Sequence, residues 1–147
     1  MTDTSEGASE ASGTAAAARA TPARDGADAL DAIYVLDELV LRPGRLADFL
    51  EAMEREYRPA AEARGQRLVH TWVTPPTTAQ GLEATLLLVW RLEGIPGFWG
   101  MRSRNAEPEV LQWWQDCESF VLRRTRRFAA SPEAIEGFEA AGRANAR

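Results

Sequence analysis

The chain has no lysine, one cysteine (Cys117), one histidine (His70) and two asparagines (Asn105 and Asn145). A single cysteine excludes an internal disulfide framework and any site built from several thiolates, so no metal is expected and a reducing cytoplasm is the compartment that fits. A single histidine leaves one side chain whose ordinary pKa lies near neutrality. No apolar run approaches the roughly 20 residues of a membrane helix, and the N-terminus lacks the basic-then-apolar order of a secretion signal, so no membrane partner is expected. The 17 basic residues, all arginine, are outnumbered by 22 acidic ones, for a formal charge of -5, which argues against a nucleic-acid partner. There is no glycine-rich phosphate loop, zinc-ligand set or nucleophile elbow, and no cofactor is expected.

What is present is one ordinary domain: 147 residues, 45% hydrophobic and 27% charged, enough to bury a core without staples. Residues 1–28 are Ala, Gly, Ser and Thr with scattered charge. They offer nothing to offset chain entropy and are expected to be a disordered tail. Residues 29–130 carry the folded domain, and 131–147 a short C-terminal helix and tail, opened by the cap chemistry of Ser131-Pro132-Glu133.

Within the domain, the apolar segment Ala32 to Leu41 stops at Arg42-Pro43-Gly44 and predicts a first strand. Leu46, Phe49, Leu50, Met53, Tyr57, Ala60 and Ala61 then share one helical stripe, closed near Gly65, with Pro59 bending the last turn. Gln66 to Thr74 alternates as a second strand, with Leu68, His70, Trp72 and Thr74 expected on one face. Ala84 to Leu92 is a third strand, and Ile95 to Ala106 a loop. Pro108 opens a second helix whose stripe is Val110, Trp113, Trp114, Cys117, Phe120 and Val121, and Leu122 to Ala129 is a fourth strand. Strand, helix, strand, strand, helix, strand is an α+β sandwich of ferredoxin-like type: an antiparallel sheet with both helices on one face. The other face is left bare, and an apolar sheet face of that size calls for a partner; a second copy, forming a homodimer, is the economical one.

The segment Leu41-Arg42-Pro43-Gly44, the strand Val89-Trp90-Arg91-Leu92-Glu93, and Glu107-Pro108 followed by Trp113 and Trp114 occur here in an order that resembles small NIPSNAP-type members of the dimeric α/β barrel superfamily. The resemblance spans about Ile33 to Phe128; Leu39 and Leu92 depart from it by standing where aromatic residues are expected. It implies a homodimer with a cavity between sheet and helices or within the barrel. Relatives in the wider superfamily include cofactor-free monooxygenases, polyketide cyclases, lactone isomerases and haem-binding proteins.

The residues themselves nominate a site. His70, beside Trp72 on its strand, is the simplest general acid or base at neutral pH, or else a hydrogen-bonded strand histidine. Asp37 and Glu38 point to opposite faces of the first strand, so one carboxylate faces inward and needs a partner; Arg91 and His70 are candidates, and a structural ion pair competes with a catalytic acid. Pro96-Gly97-Phe98-Trp99-Gly100 has the composition of a lid over an apolar cavity or of a plug for the core. Arg102 and Arg104 are placed to hold a ligand oxygen or are solvated charges. Arg123, Arg124, Arg126 and Arg127 are split by strand alternation and are expected to pair with the acidic first helix or a partner subunit. Trp113, Trp114 and Cys117 belong to the buried stripe.

The leading expectation is a cofactor-independent enzyme of secondary metabolism, an isomerase or cyclase moving protons on a hydrophobic aromatic or polyketide-like small-molecule ligand. His70 would transfer the proton and Asp37 orient it, with Trp72, Trp90, Arg91, Trp99 and Arg102 binding substrate. A non-catalytic ligand-binding or accessory protein is the alternative, and a cofactor-free monooxygenase a further one.

Overall fold

The computed structural model describes residues 31–77 and 81–145; the tail expected over residues 1–28 lies outside them. The elements run β1 (Ala32–Leu41), α1 (Leu46–Ala52), a π-helical turn (Met53–Tyr57), α2 (Arg58–Ala63), β2 (Arg67–Thr74), β3 (Ala84–Glu93), α3 (Gly94–Arg104), α4 (Pro108–Asp116), a 3-10 turn (Cys117–Ser119), β4 (Val121–Ala130) and α5 (Pro132–Asn145). The four strands form one antiparallel sheet in the order β2-β3-β1-β4. β1 and β2 are thus parallel to each other with β3 between them, and β3 and β4 flank β1. These are the two interlocked crossovers of a ferredoxin-like α+β fold.

Burial along β1 shows which face meets the helices. Ile33, Val35, Asp37, Leu39 and Leu41 are buried, while Tyr34, Leu36, Glu38 and Val40 are half-buried. The register carries that assignment across the sheet, because paired residues share a face: Leu92, Trp90, Leu88 and Leu86 of β3 point to the helices, and Arg91, Val89 and Leu87 point away.

On β2 the expected alternation breaks. Leu68 pairs with Trp90, but His70 pairs with Val89, so one residue of β3 is passed while β2 advances two. Val69 is the extra residue of a β-bulge. Leu68 therefore faces the helices while His70 and Trp72 face the open side, instead of all three pointing one way.

The helical connection also departs from a simple helix. Its fully buried residues are Phe49, Met53, Tyr57 and Ala61, every fourth position, a spacing that drifts around a helix of 3.6 residues per turn. The wider π turn over Met53–Tyr57 cancels the drift and keeps Tyr57 aimed at the core. Pro59 follows at once and has no N–H to return to Arg55. Beyond α2, Gly65 at φ 85 closes the helix, donating to Glu62 O at 2.9 Å while Gln66 donates to Ala61 O at 3.0 Å, the Schellman arrangement.

The segment expected as a loop and lid, Ile95 to Ala106, is mostly α3. Pro96 falls in the first turn, where a missing N–H costs nothing, and Met101 is fully buried beneath the helix. Gly97 lies close over the end of β3: an added Cβ would stand 3.7 Å from the Leu92 backbone. Ser131 caps α5 as its chemistry suggests, its hydroxyl accepting from Ala134 N at 3.2 Å.

Between helices and sheet lies an aromatic cluster. Tyr57 stacks on Trp113 at 5.4 Å and meets Trp90 edge-on at 5.6 Å and Trp114 at 5.1 Å, and Phe49 contacts Trp113 and Phe120. Such pairs add roughly 0.5–1.5 kcal/mol each beyond their buried area. Leu39 and Leu92, which replace aromatics of the resembled family, are both fully buried here.

Candidate functional site

One carboxylate is placed at the centre of the helix-facing side of the sheet. Asp37 stands opposite Leu88 on β3 and Arg126 on β4, with no exposed surface. Arg126 meets it fork to fork: Nε donates to Oδ1 and Nη2 to Oδ2, both at 2.7 Å. Planar guanidinium matches planar carboxylate in this geometry. Nη2 also donates to the Tyr57 hydroxyl at 3.2 Å, which ties the π turn to the sheet.

Arg124, one pleat along β4 and so on the same face, places Nη2 3.5 Å from Asp37 Oδ1. Its guanidinium sits over the Trp114 ring, 3.3 Å from the centroid, a cation–π contact. Burial works against the charge of Arg126, but its hydrogen bonds and attraction to Asp37 outweigh that and raise its pKa. For Arg124 the balance is opposite: burial and repulsion from Arg126 prevail over Asp37, and its pKa is lowered. Both remain cations at neutral pH, because a guanidinium starts above 12.

These groups form the floor of a cleft of about 400 Å³ lined by Asn105, Val110, Leu111, Trp114, Arg124 and Arg126. It falls within the size range of small-molecule sites. A hollow of about 240 Å³ shares Trp114 and Arg124 with it and reaches Cys117, Glu118 and Val121. The buried Cys117 is a small hydrophobe whose thiol pKa is pushed up to about 12, first by burial, and the thiolate needed for nucleophilic chemistry is not formed at neutral pH. Among the described residues no three His, Cys, Asp or Glu side chains come together to hold a metal ion.

The residues nominated from sequence do not gather in one place. Asp37 is buried behind the cleft arginines, and His70 is on the opposite face of the sheet, so the pairing expected between them is not formed; the partners of Asp37 are Arg126 and Arg124 rather than His70 or Arg91. His70 and Trp72 do lie together, stacked at 4.6 Å and 13° on the open face. Arg91 shares that face and sits 3.5 Å from Glu93. Trp90 is fully buried in the core rather than lining a cavity. Trp99, 62% exposed on α3, and Arg102, which rests over Phe98 and Phe128, stand at the far end of the helical layer.

Trp114 was expected only as core, yet it forms a wall of the cleft. The acidic first helix pairs with its own Arg55 and Arg58 rather than with the arginines of β4. One pattern pointed to the cleft: an acid inside the apolar run of β1, and arginines two apart on a later strand, able to meet it on one face.

No helix among the described residues is long and apolar enough to cross a membrane. Neither a protein-family profile nor a curated protein matches the sequence. Solved structures do match its shape. A NIPSNAP family protein of unknown function from Agrobacterium tumefaciens superposes with a TM-score of 0.55 at 14% identity, covering 69% of this chain and 89% of that one. An uncharacterized NIPSNAP-like domain protein from Burkholderia xenovorans gives 0.55 at 17% identity, with 69% and 86% covered. A second A. tumefaciens NIPSNAP family protein gives 0.52 at 13% identity, with 67% and 90% covered. Identities this low speak to the fold alone, and that fold is NIPSNAP-like: a four-stranded antiparallel sheet carrying its helices on one face.

Proposed function

We propose that the protein binds a flat, apolar small molecule in the cleft beside Trp114, acting in the cytoplasm as a homodimer joined through its open sheet faces. The observation that carries the binding site is the indole of Trp114. It is half-buried and held on its helix by Tyr57, with Val110 and Leu111 beside it in the cleft wall. An aromatic platform next to aliphatic walls and a few fixed polar groups is the usual makeup of a ligand cleft.

Binding is favoured over proton transfer because Asp37 has both oxygens engaged by Arg126, which suits a group that positions arginines. The test uses 2-naphthamide, a neutral planar probe, titrated into protein with ¹⁵N-labelled tryptophan. The indole resonance missing from Trp114→Leu should shift in the wild type, and that variant should bind at least ~10-fold more weakly, about 1.4 kcal/mol. Shifts confined to other tryptophans, or none at millimolar probe, reject this cleft as the site.

A second reading, a cofactor-independent isomerase or cyclase, is favoured by Arg126 lying between Asp37 and the Tyr57 hydroxyl with Arg124 beside it. Two guanidiniums would stabilise the enolate oxygen formed when hydroxide or a buffer base takes the α-proton of a bound ketone. In that case the protein would speed deuterium uptake at the α-carbon of 2-tetralone above the buffer rate, and Arg124→Gln would lose most of the gain. Uptake at the buffer rate counts against it.

A further inference from the structure

Resting on the cleft as the ligand site, we infer that its ligand carries a negative charge, a carboxylate or an ionised enol or phenol oxygen, which Arg124 binds while the apolar body lies along Trp114. Charge balance is the first reason. Arg124, Arg126 and Asp37 form one cluster, with two positive charges against one negative. Asp37 is fully buried, and the arginine side chains retain only 28% and 16% exposure. Water therefore screens the excess charge poorly, and a second anion would complete the cluster.

The two arginines are not equivalent, and this is the second reason. Arg126 spends Nε and Nη2 on Asp37 and shares Nη2 with Tyr57. Arg124 reaches Asp37 only at 3.5 Å, and its Nε is buried without a hydrogen-bond partner. A buried donor left unpaired costs about 1–3 kcal/mol, which an anionic oxygen in the cleft would recover. Glu118 is no substitute: it borders the smaller hollow, and the carboxylate in ion-pair contact with Arg124 is that of Asp37.

The third reason is orientation. Held 3.3 Å from the indole centroid, the Arg124 guanidinium is planar and carries its N–H donors along its edge. A planar anion would meet that edge as a carboxylate meets an arginine fork. Arg126 is here a positioning residue, fixed by Asp37 and repelling its neighbour toward the cleft.

The experiment compares 2-naphthoate with 2-naphthamide, which match in shape and differ in charge, by calorimetry at low salt. The wild type should prefer naphthoate at least ~10-fold, and added sodium chloride should reduce that preference, since the charge is partly exposed. Arg124→Gln should bring the two probes within about twofold, chiefly by weakening naphthoate. Equal wild-type affinities, or a preference that survives Arg124→Gln, overturn the inference and leave the cleft standing. If neither probe shifts the Trp114 indole, the cleft itself is the wrong site and both fall. Should Arg124→Gln not fold, the wild-type arginine Nε–Hε spectrum decides: naphthoate and not naphthamide must shift the Arg124 resonance, and an unmoved resonance overturns the inference.

Discussion

Replacing Asp37 with alanine should lower the free energy of unfolding by about 3–5 kcal/mol, the range found when one partner of a buried ion pair is removed. The pair with Arg126 is bidentate at 2.7 Å, and Arg124 leans on the same carboxylate. Without it, two guanidiniums largely hidden from water face each other with no counter-charge. Against a total stability of typically 5–15 kcal/mol, that loss is a large fraction. Urea unfolding measures it as a lower midpoint with an unchanged slope, and a loss below about 1 kcal/mol would show the pair to be dispensable.

The size of that effect is not the worth of the ion pair. Burying two charges costs several kcal/mol before their attraction returns it, so replacing both partners by apolar groups is often close to neutral. Asp37→Leu combined with Arg126→Met should therefore recover the part of the stability lost by Asp37→Leu alone that belongs to Arg126, leaving the part that belongs to Arg124. The double variant would separate what the pair does for stability from what it does for the cleft. Arg124 would lose both the neighbour that repels it and the acid that anchors it, and so should bind naphthoate less well even where the fold is intact.

The fold was largely legible from periodicity. An apolar run stopped by Arg42-Pro43-Gly44 marked β1, and the stripe Leu46, Phe49, Leu50, Met53, Tyr57, Ala60 and Ala61, closed near Gly65, marked the first helical connection; Gly44 and Gly65 do take positive φ. The departures have local causes. A bulge at Val69 leaves no trace in a strand with apolar or aromatic residues on both faces, so the side taken by His70 and Trp72 could not be read from alternation. Gly97 and Gly100 suggested a loop, but Met101 buried beneath α3 and the packing of Gly97 on the end of β3 outweigh low helix propensity. The site was less legible than the fold, because aromaticity does not separate core from cleft. Trp90 and Trp113 are buried and Trp114, one residue on, is not. The arginines of β4 looked like a basic run, and only the pairing of β4 with β1 brings Arg124 and Arg126 to Asp37.

The second large effect concerns the open face. If two copies join there, Leu36→Arg should weaken the dimer at least ~100-fold, which corresponds to about 2.8 kcal/mol, while the near-ultraviolet spectrum of the aromatic core stays as in the wild type. Leu36 sits mid-sheet, in register with Val89 on one side and Arg127 on the other, and with Leu87 and Val40 it makes the apolar centre of a face that lies opposite the described helices. A two-fold interface contains every residue twice, so one substitution removes two leucines from burial, each worth about 1.5–3 kcal/mol, and inserts two like charges. Trp99→Ala is the matched control: its side chain is 62% exposed on α3, away from this face, and its loss should leave association unchanged. Sedimentation equilibrium reads both. A wild type that stays monomeric at ~100 μM would reject the dimer, since a stable interface of ordinary size is fully formed well below that concentration. It would not touch the cleft, because Trp114 and Arg124 lie on the other side of the sheet.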